Sequence, residues 1–382
     1  VVTPPLADYV LSWADGVIVG LEPYRGQQVD FAYPDAAVLP GLVNAHVHLD
    51  LTHLADQCPP TPDFTSWLQM VIRGRRHSSS EEIARGIRQG IAESLAAGVT
   101  LLGDIDGGGN SEQWLANQPL QAVIFKEMLG LPRAHAAAVQ GETERWLRQP
   151  CPQGVVRGLS PHAPYSVHRD LWFWTARQTV PVATHLAETR EEGELLRDQA
   201  GPFAPFLREL GVWEDDALLA DLTLPLQTAV RPWLIAHANY WPEDELAALA
   251  RHHVVYCPRT HAAFGHAPHP YAAMLGAGVN VALGTDSLAS SPNLDLWQEV
   301  RFLWSRWSAK LPPDELLAMA THRGALALGF SRRGILTAGS PADFIVMPLT
   351  AAEPDPFASL FGSTGVGRRV CIQGQWLEQR QS

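Results

Sequence analysis

The stretch LVNAHVHLDL (residues 42–51) opens as an apolar strand and ends in two histidines. Residues i and i+2 of a strand face the same side, so His46 and His48 project together from its C-terminal end. Seven further runs of the same character follow: GVTLLGDI (98–105), QAVIFKEML (121–129), VVRGLS (155–160), PVATHL (181–186), PWLIAH (232–237), HVVYCP (253–258) and NVALGT (280–285). Several are apolar along their whole length, as strands covered on both faces are. Amphipathic or Ala-, Leu- and Arg-rich segments separate them, for example SEEIARGIRQGIAESLAAG, with Gly98 as a C-terminal stop. Eight strand–helix repeats predict an α/β fold, a parallel (β/α)8 TIM barrel, over residues 40–330.

Outside this region the pattern changes. Residues 1–39 read as short strands and turns, and GILTAGSPADFIVMP and GVGRRVCIQGQWLE are strand-like again. Residues 1–39 plus 331–382 are therefore expected to form one small composite β domain. Two segments exceed a simple repeat: 52–78, where a Pro-rich loop precedes the helical SWLQMVIRGRR, and 201–230.

The bulk numbers narrow the function. With 382 residues, 46% hydrophobic and 18% charged, the chain can bury a large core. A net charge of -12 disfavours nucleic acid and anionic membranes as partners. Cys58, Cys151, Cys257 and Cys371 are far apart and form no CxxC, which suits a reducing, cytoplasmic compartment. No apolar run is long enough to span a bilayer and no signal peptide is read. The chain starts at Val1 rather than Met, so upstream residues are expected. A homodimer is compatible with the sequence but not indicated by it.

His185 ends the fifth predicted strand, His237 the sixth, and Asp286 follows the eighth in LGTDS. Barrel active sites sit at this end of the strands, and ordinary core histidines have no reason to gather there. The constellation points to a metal centre. Glu188, three residues after His185, suits a general base beside an activated water, and also a carboxylate at a helix N-terminus.

PGLVNAHVHLDL (40–51), THLAET (184–189), IAHANY (235–240), LGTDS (283–287) and GILTAGSPADFIV (334–346) resemble the amidohydrolase superfamily. The match is to the cytosine, guanine and adenosylhomocysteine deaminase branch. The resemblance implies a distorted barrel with a β-sandwich built from both termini. It implies His46, His48, His185 and Asp286 as ligands of one metal ion, His237 touching water or substrate, and Glu188 as proton shuttle. The fourth strand lacks the lysine that bridges two metals in binuclear relatives, so a single ion is expected. The N/O ligand set suits zinc, with iron or manganese also possible. SPHAPYS (160–166) is similar to a nucleoside-binding motif and places His162 in the pocket. CPRTHAAFGHAPHP (257–270) resembles the 6-aminodeoxyfutalosine deaminases of the futalosine route to menaquinone, also labelled chlorohydrolases. Their substrate joins an adenine nucleoside to a benzoate, and Arg259 is suited to a carboxylate or, equally, to a rim salt bridge. Trp67 and Phe64 are candidates to close over an aromatic substrate or to pack on the rim. Glu127 is read either as touching a ribose hydroxyl or as pairing with Arg157.

The expected reaction is hydrolytic deamination of an adenine-type nucleoside, most of all 6-aminodeoxyfutalosine, with Glu188, His237 and Asp286 as catalytic residues. Alternatives are guanine, adenosylhomocysteine, a triazine or a cyclic amide. A non-catalytic barrel would have lost part of this residue set.

Overall fold

The computed structural model describes residues 5–108, 111–307, 311–349 and 355–378. Residues 1–4, 350–354 and 379–382 of the expected composite domain lie outside the described residues. Three strands come first: β1 (Tyr9–Ala14), β2 (Val17–Pro23) and β3 (Ala36–Pro40). The eight predicted runs then appear as β4 (Leu42–Val47), β5 (Val99–Asp106), β6 (Gln121–Met128), β7 (Val155–Pro161), β8 (Ala183–Leu186), β9 (Leu234–His237), β10 (His253–Tyr256) and β11 (Asn280–Leu283). They are followed by β12 (Phe344–Pro348), β13 (Arg369–Ile372) and β14 (Gln375–Trp376).

The eight central strands build two parallel four-stranded sheets, ordered β4-β5-β6-β7 and β8-β9-β10-β11. Hydrogen bonds cross both seams. Leu159 bridges Val182 between β7 and β8, and the His185 amide donates to the His162 carbonyl at 2.9 Å. At the other seam the amides of Thr285 and Asp286 donate to the His46 carbonyl at 3.2 and 3.1 Å. Asn44 of β4 reinforces that seam, its Nδ2 donating to Thr285 Oγ1 at 2.8 Å.

Every residue of β4 and β5 is buried, because both faces of these strands are covered. Val43, Leu101, Val123, Phe125 and Val255 form an inner cluster. Their neighbours in the chain, Leu42, Leu102, Ala122, Ile124 and Val254, belong to a larger cluster with the helical residues Ile87, Trp172 and Trp297. The period-2 geometry of a strand thus splits each apolar run between two cores. Phe125 is fully buried, worth roughly 1.5–3 kcal/mol by transfer. It demands a glycine opposite: a Cβ on Gly158 would lie 2.7 Å from Phe125 Cδ1.

The two segments that exceed the repeat pack together. The helix Phe64–His77 is capped by Asp63, whose side chain accepts from the amides of Thr65 and Ser66. Its residues Phe64, Trp67 and Val71 join Phe203, Phe206 and Leu207 of the helix Phe203–Glu209 in one apolar cluster. The next helix, Ser80–Ala96, starts with a capping box between Ser79 and Glu82.

The chain ends meet. β3 pairs antiparallel with β12, Val38 opposite Val346, and the sheet continues through β13 to β14. The β1–β2 hairpin touches this region through the Val17–Pro341 bridge. Among the described residues, no helix is long and apolar enough to cross a membrane.

Candidate active site

Four side chains converge at the C-terminal ends of β4, β8 and β11. His48 and His185 bring their Nε2 atoms to 3.3 Å. Asp286 Oδ1 lies 3.8 Å from His46 Nε2 and 3.7 Å from His48 Nε2. His46, His48 and His185 offer ligand atoms that all lie within 4.8 Å of one another, as do His46, His237 and Asp286. All five residues are buried.

The donors suit a cation. His46 is wholly buried, yet neither ring nitrogen has a hydrogen-bond partner. Such orphaned polar atoms are costly unless something else satisfies them. His185 Nδ1 lies 2.9 Å from the His162 carbonyl, which makes Nδ1 the donor and leaves Nε2 with a free lone pair. Burial, then the imidazoles of His185 and His48, holds His46 well below the usual histidine range. Burial likewise lowers His48, and brings His185 down to about 4. These imidazoles are neutral at physiological pH, as ligands must be.

Backbone strain marks the same strand ends. Ala187, His237, Ala238 and Asp286 have φ of 50°, 69°, 51° and 60°, in the left-handed region. Each such residue costs on the order of 1–3 kcal/mol and persists only where its surroundings hold it. Here His269 Nε2 donates to the His237 carbonyl at 2.7 Å, and the Ala238 amide to the Leu186 carbonyl at 3.0 Å. The Ser287 amide donates to Asp286 Oδ1 at 2.7 Å.

Glu188 follows β8 and places Oε1 3.4 Å from His237 Nε2. Asn239 Nδ2 holds its carbonyl at 3.0 Å. Burial, then the nearby Asp286 and Glu192 carboxylates, pushes Glu188 well above the usual carboxylate range. Burial raises Asp286 to about 6. A bound cation would act in the opposite direction on both.

A cavity of about 280 Å³ opens above this group, with His48, His185, Glu188, His237 and Asp286 in its lining. One wall carries His162, Glu127 and Arg75; much of the rest is apolar, including Phe64, Trp67, Leu131 and Phe206. His162 and Trp67 therefore both line the cavity. His162 Nδ1 lies 2.7 Å from Ser166 Oγ, and Trp67 Nε1 donates to the Cys58 carbonyl at 3.0 Å.

Arg259 departs from expectation. It does not line the cavity. Its Nε donates to Glu299 Oε1 at 2.5 Å, its amide to Glu299 Oε2 at 2.9 Å, and its Nη2 to the Asn293 carbonyl at 2.9 Å. The fully buried Glu299 requires a counter-charge, and Arg259 supplies it. The guanidinium is thus committed to the fold, and the proposed contact to a substrate carboxylate is corrected. Arg157 is likewise taken, by Glu112 at 2.5 Å, so the suggested Glu127–Arg157 pair does not form.

The cation that does reach the cavity is Arg75, which sequence reading passed over. Phe64, Trp67, Val71 and Arg75 follow the 3–4 residue spacing of one helix face, so an arginine on an apolar stripe was the available signal.

An α/β fold of parallel strands that gathers histidines and an aspartate at one end of its sheets defines a recognisable class. The amidohydrolase family matches residues 37–377, and the chain belongs to that family. It is a hydrolase acting on carbon–nitrogen bonds. The chain is 32% identical to an aminodeoxyfutalosine deaminase of Deinococcus radiodurans over 78% of this chain and 76% of that one. It is 30% identical to a 5-methylthioadenosine/S-adenosylhomocysteine deaminase of Halothermothrix orenii over 81% and 72%. The fold is similar to that of Helicobacter pylori aminofutalosine deaminase, with a TM-score of 0.83, 22% identity and coverage of 98% and 96%. It is also similar to a zinc-bound adenosine deaminase from Xanthomonas campestris, at 0.76, 27%, 97% and 88%.

Proposed function

We propose that this protein is a mononuclear metal-dependent deaminase of an adenine-type nucleoside, with 6-aminodeoxyfutalosine of the menaquinone route as the first candidate substrate. The reading takes the two parallel sheets as halves of one distorted barrel, residues 40–330. The terminal strands then form a composite β-sandwich domain of residues 1–39 and 331–382. Unpaired, scattered cysteines are consistent with a cytoplasmic setting.

The observation that carries the proposal is Glu188 Oε1 at 3.4 Å from His237, at the edge of the four-ligand group and in the lining of a nucleoside-sized cavity. His46, His48, His185 and Asp286 would hold one divalent ion, zinc by the N/O character of the donors. That ion supplies a water nucleophile at neutral pH and a Lewis acid. Glu188 accepts the proton of the attacking water and hands it to a ring nitrogen, which makes the neighbouring amino-bearing carbon electrophilic. Its place beside His237 in the cavity lining suits it to this task. His237 donates to the oxygen that adds to the ring, and Asp286 orients it. Ammonia leaves. His162 faces the purine, and Phe64, Trp67 and Phe206 pack against the 5′ substituent.

A second reading keeps the chemistry and changes that substituent. With Arg259 tied to Glu299, the apolar end of the cavity also suits an uncharged thioether, as in 5′-methylthioadenosine. Zinc-loaded protein assayed for ammonia with 6-aminodeoxyfutalosine, 5′-methylthioadenosine, S-adenosylhomocysteine and guanine separates the two. Preference for the first supports the first reading. Preference for 5′-methylthioadenosine supports the second. Ammonia from guanine alone, or from none of them, overturns the nucleoside assignment.

A further inference from the structure

The motif CPRTHAAFGHAPHP (257–270) carries three histidines that the deamination chemistry does not use. His261, His266 and His269 do not line the cavity, although His261 and His269 are buried. The loop that follows the helix Pro258–Ala263 turns back instead onto the end of β9. His269, held between Pro268 and Pro270, donates from Nε2 to the His237 carbonyl at 2.7 Å. Its ring stacks on Tyr256 at the end of β10, with centroids 4.0 Å apart and planes at 24°. A second tie joins the same two loops. Tyr240 Oη and His266 Nδ1 are 3.2 Å apart, and the Ala267 amide donates to that hydroxyl at 3.4 Å.

These ties hold an unfavourable stretch of backbone. His237 and Ala238 are consecutive left-handed residues, with φ of 69° and 51°, and neither is a glycine. A carbonyl only accepts, so His269 carries its proton on Nε2. Removing a donor from a buried carbonyl is costly, and His237 is buried. Without that donor the His237 peptide would relax toward an ordinary φ. The Cα–Cβ bond of His237 turns with this backbone. Its imidazole would then leave its place, where Nε2 is 3.4 Å from Glu188 Oε1 and the ring centroid is 5.5 Å from those of His46 and His185.

We infer that this loop braces the reacting centre rather than reading the substrate. His269 is a positioning residue: its hydrogen bond to the His237 carbonyl fixes the left-handed turn, and through the turn the His237 imidazole. The effect on rate rests on the deaminase reading above; the effect on the turn does not.

Three variants separate the hydrogen bond from the packing. His269→Phe keeps a ring to stack on Tyr256 and removes the donor. His269→Gln puts an amide N–H where Nε2 stood, whereas the amide of His269→Asn is one bond too short. In zinc-loaded protein, His269→Phe and His269→Asn should lose roughly tenfold to a hundredfold in kcat on the best nucleoside substrate, with KM and zinc content within about twofold. His269→Gln should stay within about threefold of the unsubstituted protein. Amide hydrogen exchange on the same zinc-loaded protein needs no substrate. The amides of Ala238 and Tyr240, which donate to the Leu186 and Ala187 carbonyls, should exchange roughly threefold to tenfold faster in His269→Phe, and at the parent rate in His269→Gln, with β5 and β6 as unchanged controls. Parent kcat in His269→Phe, or equal kcat in the Gln and Asn variants, overturns the inference. So does exchange at the turn that His269→Phe leaves unaltered. Where His269→Phe fails to fold, the comparison of Gln with Asn decides. No turnover by the unsubstituted protein overturns the deaminase reading instead, and the exchange rates then decide the brace by themselves.

Discussion

Glu192 Oε1 lies 2.7 Å from the amide nitrogen of Ala187, the residue just before Glu188. Ala187 sits at φ 50°, a conformation that an alanine adopts at a cost. The Glu192 side chain thus clamps the turn that aims Glu188 at the cavity. Glu192 is itself set by Thr189, whose Oγ1 accepts from the Glu192 amide at 3.2 Å as the N-cap of the helix Arg190–Asp198.

Glu192→Ala should release this turn. The expected result is a fall in kcat of roughly tenfold to a hundredfold with little change in KM or zinc content, since the loss falls on the orientation of one catalytic group. Glu192→Gln keeps an acceptor for the Ala187 amide and should restore most of the rate. Stability adds a second readout. Burial raises Glu192 to about 8, above its ordinary value of 4.5. In that window the unfolded chain has lost the proton and the folded protein keeps it, so stability falls as pH rises from about 4.5 to about 8 and is level above. Glu192→Gln removes this contribution. Its melting temperature relative to the unsubstituted protein should therefore climb between pH 5 and 8 and then plateau. A difference that is flat with pH would show that Glu192 is ionised in the folded protein.

Glu188→Gln should leave the fold and one bound metal ion per chain intact, while kcat drops by roughly 10²–10⁴-fold, the contribution typical of a positioned general base. Metal analysis beside steady-state kinetics checks both parts. Turnover at the parent rate would remove Glu188 from the reaction. Loss of the metal would instead make it a ligand.

Arg259→Ala should act on stability rather than on recognition. It leaves the fully buried Glu299 without its ion pair, at a cost of about 3–5 kcal/mol. Burial already pushes Glu299 up to about 7 against the opposing pull of Arg259, so the variant should be least stable at alkaline pH, where Glu299 must ionise. Thermal melts at pH 6 and pH 9 measure this. The ratio of kcat/KM for 6-aminodeoxyfutalosine to that for 5′-methylthioadenosine should not change. A selective loss for the carboxylate-bearing substrate would return Arg259 to substrate recognition.

The sequence by itself determined the eight central strands and much of the metal-ligating group. Runs buried on both faces are apolar throughout, and the two-residue repeat of a strand forces His46 and His48 to one side whatever surrounds them. His185, His237 and Asp286 were legible for the same reason, because each closes a run whose end is visible in the chain. The partners of the buried charges were not legible. Arg259 meets a glutamate 40 positions away, Arg75 meets Glu127 across 52, and Arg157 meets Glu112 across 45. Arg259 and Arg157 could equally have faced the cavity or solvent, as Arg75 does face the cavity. A buried carboxylate must find a counter-charge, and which arginine comes within reach depends on how separate helices pack against the strands, so only the tertiary structure decides which cation is left for the substrate.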